Sequence, residues 1–146
     1  PIGLGHVEEA VLTTPSQSIF ELVDALGARD LPKSLSLVGQ MVGPGREHPL
    51  RTVSMIARHY RQLLLARTGL ASGWSSEELR QRLQVPPFVA DNLVRQAKHL
   101  DGRKLALGLQ EIMRVDHSLK GGGLPPRSVM ERLVFRLLGS ENRLAS

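Results

Sequence analysis

Asp116 raises the first chemical question. Leu105, Leu109, Ile112 and Leu119 recur at steps of three and four, and Asp116 falls into that series. At about 100° per residue, a helix would set them within roughly 40° of one another, so the carboxylate is expected on the apolar stripe. A carboxylate there can serve as a general base or as half of an ion pair. The sequence offers no visible companion for acid–base work, which favours the pair. An ionised carboxylate among apolar side chains is costly unless a cation meets it. Arg58 and Arg61 are the expected partners, because they project from the edges of the longest other helix and their guanidinium forks suit a carboxylate; Arg95 is the reserve.

Other chemistries find less support. His6, His48, His59, His99 and His117 are too scattered for a zinc helix, with no pair at i, i+4 beside a carboxylate, and are expected as surface or partly buried side chains. No local signature suggests a Ser, His and Asp set. The run Gly121-Gly122-Gly123 lacks the Gly-Lys-Ser or Gly-Lys-Thr that opens a phosphate-binding helix: Lys120 precedes it and Pro125-Pro126 follow. Nucleotide binding, and any cofactor, is therefore not expected. Arg80, Arg82, Arg95 and Lys98 form a candidate basic patch on two short helices with the outline of a helix-turn-helix. A DNA reader places polar side chains at the start of its second helix, whereas Pro86-Pro87-Phe88-Val89-Ala90 is apolar, so a plain helical hairpin is the better reading.

These residues sit in a chain of 146, enough for one ordinary domain and a short extra piece. Leu, Arg, Gln, Glu and Ala predominate over β-branched and aromatic residues, which favours helices. Without cysteine there are no disulfides or thiolate metal sites, as suits the cytosol. No signal pattern or run of about 18 apolar residues is visible, so a soluble, cytoplasmic protein with no membrane partner is expected. Pro1 in place of Met points to a piece of a longer chain. The charge of +5 is uneven: residues 1–45 hold two basic and five acidic side chains, and residues 46–103 ten and five. A solvated helical surface explains the basic middle; a DNA-binding helical module using 46–103 is the alternative.

The elements follow from caps and breakers. A short helix is expected over His6–Leu12, then a polar linker to Gln17. Ser18 and Glu21 have capping-box spacing for a helix that Gly27 closes, and Asp30 caps the next, with Pro32 in its first turn. Gly43-Pro44-Gly45 is a firm break. A helix of about 20 residues runs from Pro49 to Thr68, ended by Gly69 and Ser72-Gly73; Trp74 is expected to pack locally. Ser75 and Glu78 open a helix to Leu83, and Phe88, Val89, Leu93, Val94 and Ala97 carry another to Leu100. Asp101 caps the long helix bearing Asp116. After the prolines, Val129 to Leu138 is apolar on nearly every face and must be covered on more than one side. With no alternating strand pattern, the expected fold is all-α, a bundle of seven to eight helices.

The stretch from Val115-Asp116-His117-Ser118-Leu119-Lys120 through the glycines to Leu124-Pro125-Pro126-Arg127 resembles the C-terminal end of the delta subunit of the bacterial DNA polymerase III clamp loader. Phe20 to Leu26 followed by Asp30, Arg58 to Leu64, and Val85 to Ala90 resemble the same family in the same order, so the resemblance covers about residues 18 to 138. It implies a collar domain at 18–139, by which five subunits associate into a ring, with 1–17 the end of a lid domain and linker and 140–146 a tail. The family's upstream ATPase-like domain, which touches the sliding clamp, does not occur in this sequence. The resemblance therefore implies a non-catalytic piece that joins other clamp-loader subunits, meeting the sliding clamp and primed DNA only through the complete subunit or complex. Its candidate interface is Val134, Phe135 and Leu138.

Overall fold

A computed structural model of the chain describes residues 15–43, 45 and 48–145, with side-chain surroundings from residue 17 to 139. Those residues form seven helices and no strand: α1 (Pro15–Gly27), α2 (Leu31–Met41), α3 (Pro49–Ser72), α4 (Ser76–Leu83), α5 (Pro87–Lys98), α6 (Gly102–Gly121) and α7 (Pro126–Ala145). The all-α expectation holds. The helix expected over His6–Leu12 lies outside the described residues.

Side chains that satisfy the free N–H groups of a first turn fix most helix starts. Asp30 Oδ1 accepts from the Lys33 amide at 3.1 Å, Ser75 Oγ from the Glu78 amide at 3.1 Å, and Asp101 Oδ1 from the Arg103 amide at 2.7 Å. His48 caps α3 in the same way, its Nδ1 accepting from the Leu50 amide at 3.1 Å ahead of Pro49. Three expected boundaries move. α1 begins at Pro15, which is favoured in a first turn, so Ser18 is inside the helix and not its cap. α3 runs on through Gly69 to Ser72 and ends at Gly73, whose left-handed φ of 75° glycine adopts without strain. Helix α7 likewise continues to Ala145, past the expected end at Leu138 and through the stretch read as a tail.

Helix α3, 24 residues long, is the axis. α6 packs along it most extensively, α5 lies on another side, and α1 and α4 cover the remainder. α7 packs on α6 and closes back onto α2, so the start and end of the described chain meet. Leu22, Val38, Val53, Ile56, Leu63, Leu93, Ile112, Met130, Leu133 and Val134 are fully buried in one continuous core.

The buried line of α6 is Leu105, Gly108, Glu111, Ile112 and Val115, rotated from the expected one, so Leu109 and Asp116 fall at its edge. The cause is Gly108. A Cβ there would stand 2.7 Å from Tyr60 Cε2 and 3.3 Å from Leu137 Cδ2, so the bare backbone is the contact surface where α3, α6 and α7 meet. A hydropathy pattern counts glycine as blank and misses such a face. Gly69 is a second case: a Cβ would stand 2.5 Å from both Leu79 Cδ2 and Trp74 Cε3, so Trp74 seats against α3 and the turn into α4 is fixed.

The same substitution at two glycines should therefore have opposite signs. Gly108→Ala gains up to about 1 kcal/mol of helix propensity but forces the buried Tyr60 ring aside, an overpacking cost of about 1–3 kcal/mol, and should lower the melting temperature. Gly139→Ala, in α7 where a new Cβ would meet no described atom within 4 Å beyond its own helix backbone, should raise it. Thermal denaturation of the two variants checks both.

Candidate functional site

Four places in the fold gather side chains with chemistry, and the expected sites are redistributed among them. Asp116 is 14% exposed and pairs with Lys120 of its own helix, Nζ to Oδ2 2.9 Å, not with Arg58 or Arg61. Arg58 is exposed, and Arg61 instead donates to Met113 Sδ at 3.4 Å. The rotation of α6 is the reason: Asp116 sits at the edge of the buried line, within reach of a lysine one turn on. Arg95 belongs to a different groove.

The buried carboxylate of α6 is Glu111. Its Oε1 accepts from Arg114 Nη1 of the same helix at 2.9 Å and its Oε2 from Arg136 Nη1 at 3.3 Å, so one acid takes two guanidinium groups and the Arg136 contact ties α6 to α7. Both arginines keep about half or more of their side chains in water, whereas Glu111 is almost wholly covered. The sequence signal was available: Glu111 lies one turn from both Gly108 and Val115 on the true buried line, with Arg114 three residues on.

A second polar cluster bridges α1, α3 and α5. The buried His59 and Gln96 meet at 2.7 Å between Nε2 and Oε1, and Gln96 Nε2 donates to Asp24 Oδ1 at 2.7 Å and to the Phe20 carbonyl at 3.1 Å. With Gln96 turned this way, His59 Nε2 carries the proton and donates. The Phe20 ring stands edge-on to the imidazole, centroids 4.4 Å apart. Burial lowers the His59 pKa below its ordinary 6.5, against the opposing pull of Gln96 and the Asp24 charge. Nothing in the sequence set this histidine apart from the other four.

The basic patch is partly dispersed. Arg80, Arg95 and Lys98 line one groove between α4 and α5, but Asp91 lines it too and takes Arg80 in a two-pronged contact at 3.2 Å. Arg82 turns away and lies over the Trp74 ring, 4.3 Å from its centroid. Phe88, expected to carry the apolar side of α5, is instead 70% exposed.

On α7 the three candidate interface residues separate. Val134 is 0% exposed and Leu138 9%, so both are core and not available to a partner, while Phe135 is 54% exposed. The reason is register: the core face of α7 is set by Met130, Leu133 and Leu137, and Val134 and Leu138 flank it, leaving Phe135 on the opposite side with Ser128 and Arg132. Beside this face a groove of about 510 Å³ runs between α6 and α7, with Met113, Leu124, Arg132 and Arg136 in its lining. Sequence reasoning missed those four. The signal was the pair of arginines at i, i+4 flanking Phe135.

Among the described residues no three histidine, aspartate or glutamate side chains converge as a metal would require. No described helix is long and apolar enough to cross a membrane.

The arrangement is that of a helical bundle, and comparison with known proteins agrees on that fold. The fold matches the solved structure of the Bacillus subtilis DNA clamp loader delta protein with a TM-score of 0.80 and 23% identity, over 93% of this chain and 40% of that one. In sequence it is 23% identical over 137 residues to DNA polymerase III subunit delta of Bacillus subtilis (strain 168), covering 94% of this chain and 39% of that protein. The family described as DNA polymerase III delta subunit, C-terminal domain, matches residues 16–137, and the chain belongs to that family. It spans about 40% of the length of both relatives.

Two predictions follow from the polar clusters. Protonating His59 favours the unfolded state, whose histidine keeps the higher pKa, so its contribution to stability is present above pH 6.5 and lost as the pH falls below it. Urea titrations across that window should show stability declining, and His59→Gln should flatten the decline. For Glu111, removing the acid leaves two arginines that already stand largely in water, whereas Arg114→Ala with Arg136→Ala takes both of these cations from a buried carboxylate. The double variant should cost on the order of 3 kcal/mol and more than Glu111→Gln, while Asp116→Asn should cost under about 1 kcal/mol, all read from denaturant midpoints.

Proposed function

We propose that this domain is an association module of the DNA polymerase III clamp loader, through which a delta subunit joins its neighbours in the ring. The observation that carries the reading is Phe135, a large aromatic side chain more than half exposed on the outer face of the last helix. Aromatic residues framed by arginine are enriched at the centres of protein interfaces. The role is binding, not catalysis, and the reading implies a cytoplasmic protein. Engagement of the sliding clamp and of primed DNA is assigned to the complete subunit and complex, since this chain spans about 40% of its relatives.

The rival reading, a DNA-binding module using Arg80, Arg82, Arg95 and Lys98, loses support from the contacts those residues already make. Arg80 is shared with Asp91 and Arg82 with Trp74, which leaves Arg95 and Lys98 as the part of the patch no such contact occupies.

The test is association with the other clamp-loader subunits of the same source, followed by analytical ultracentrifugation. The domain should join them, and Phe135→Glu should weaken association by about 2 kcal/mol or more while leaving the melting temperature unchanged. Equal association by Phe135→Glu would overturn the role of this face. Binding to DNA in place of the subunits, falling steeply as salt rises, would return the rival reading.

A further inference from the structure

The groove between α6 and α7 adjoins the Phe135 face, with Arg132 at the border between them, but does not include Phe135. Around α7, at about 100° per residue, Val129 and Arg136 face the groove, Arg132 stands at its rim, and Phe135 lies beyond Arg132 on the far side. Val115 and Val129, both buried, form the floor. Met113 and Leu124 are exposed along the sides, large apolar side chains left in water. Arg114, Arg132 and Arg136 contribute three guanidinium groups, and among the described residues the lining contains no carboxylate. The acid nearest to hand, Glu111, is buried behind the groove and already receives Arg114 and Arg136. At about 510 Å³ the groove falls in the usual range of ligand sites, roughly 300–1,000 Å³.

The two halves of this lining ask for different things from one ligand. An inorganic anion or a phosphate backbone would satisfy the guanidinium groups and leave Met113, Leu124 and the valine floor uncovered. A wholly apolar segment would cover the floor and leave positive charge facing it. We propose that the groove binds an acidic peptide segment with apolar anchors, supplied by a partner protein. Its aliphatic side chains cover Val115, Val129, Met113 and Leu124, and its carboxylates meet Arg132 and the outward edge of Arg114, whose forked donors suit them. The proposal goes beyond ring association through Phe135 and does not require it.

Fluorescence anisotropy with a short labelled peptide of alternating aspartate and leucine tests it on the intact chain. Saturable binding is expected, weaker by about tenfold with Arg132→Glu, where like charges would be set together, and with Leu124→Asp. A peptide of alternating aspartate and alanine should bind about tenfold more weakly than the leucine peptide, for want of anchors. Arg103→Glu, at the opposite end of α6, and Phe135→Glu should both bind the leucine peptide like the parent. Unchanged melting temperatures keep each comparison one of folded proteins. Equal binding of a lysine–leucine peptide would overturn the proposal, as would undiminished binding by Arg132→Glu. Loss of the peptide by Phe135→Glu would also overturn it by merging the two surfaces, and displacement of the peptide by single-stranded oligonucleotide would assign the groove to phosphate. Because peptide binding and ring association are read separately, failure of one leaves the other standing.

Discussion

Helix α6 can lie where it does only because residue 108 has no side chain. The Tyr60 ring of α3 and Leu137 of α7 both come up to the bare backbone of Gly108, and that triple approach sets the rotation of α6 about its own axis. The rotation in turn decides which acid is buried. It turns Glu111 inward, where two arginines reach it, and Asp116 to the edge, where one lysine is enough. It also opens the outer side of α6, with Met113 and Arg114, toward the groove. One missing methyl group thus fixes a helix contact, an ion-pair network and a surface.

What was legible in the sequence was chiefly local. Asp30, Ser75 and Asp101 cap helices because a cap needs only its own chain two or three residues on, and the all-α class follows from composition and periodicity. What was not legible depends on contacts between distant residues. Gly69 reads as a helix end but is a packing surface for Trp74, because what matters is the neighbour and not the residue. Ser18 and Glu21 have the spacing of a capping box, yet Pro15 starts the helix three residues earlier. On α7 an apolar run gives no phase of its own; Val134 and Phe135 differ only in which way the core lies.

The polar interior shows the same division. Gln96 joins α5 to α1 and α3 by bonding at once to His59, Asp24 and the Phe20 carbonyl, over sequence separations that no motif spans. A buried amide of this kind fixes orientation more than it adds net stability, since each bond replaces one to water. The basic segment illustrates the converse. Its charges were plain in the sequence, but their availability was not, since Asp91 and the Trp74 face had to be placed before Arg80 and Arg82 could be seen as engaged.

Helix α4 is the least anchored of the described helices. It has eight residues, buries only Leu79 and Leu83, and rests chiefly on α3 and α5. Its turn into the fold depends on Trp74 lying against Gly69, and its exit passes through Gln84 in a left-handed conformation at φ 55° that a non-glycine residue holds at some cost. Few buried contacts and a strained exit are the marks of a segment that opens by itself, well below the free energy of global unfolding. Its amide protons would then exchange with solvent through a small excursion of α4, while those of α3 wait for the whole bundle to come apart. The domain is in this sense two layers of cooperativity, a core of helices that stand or fall together and one flap hinged on a tryptophan.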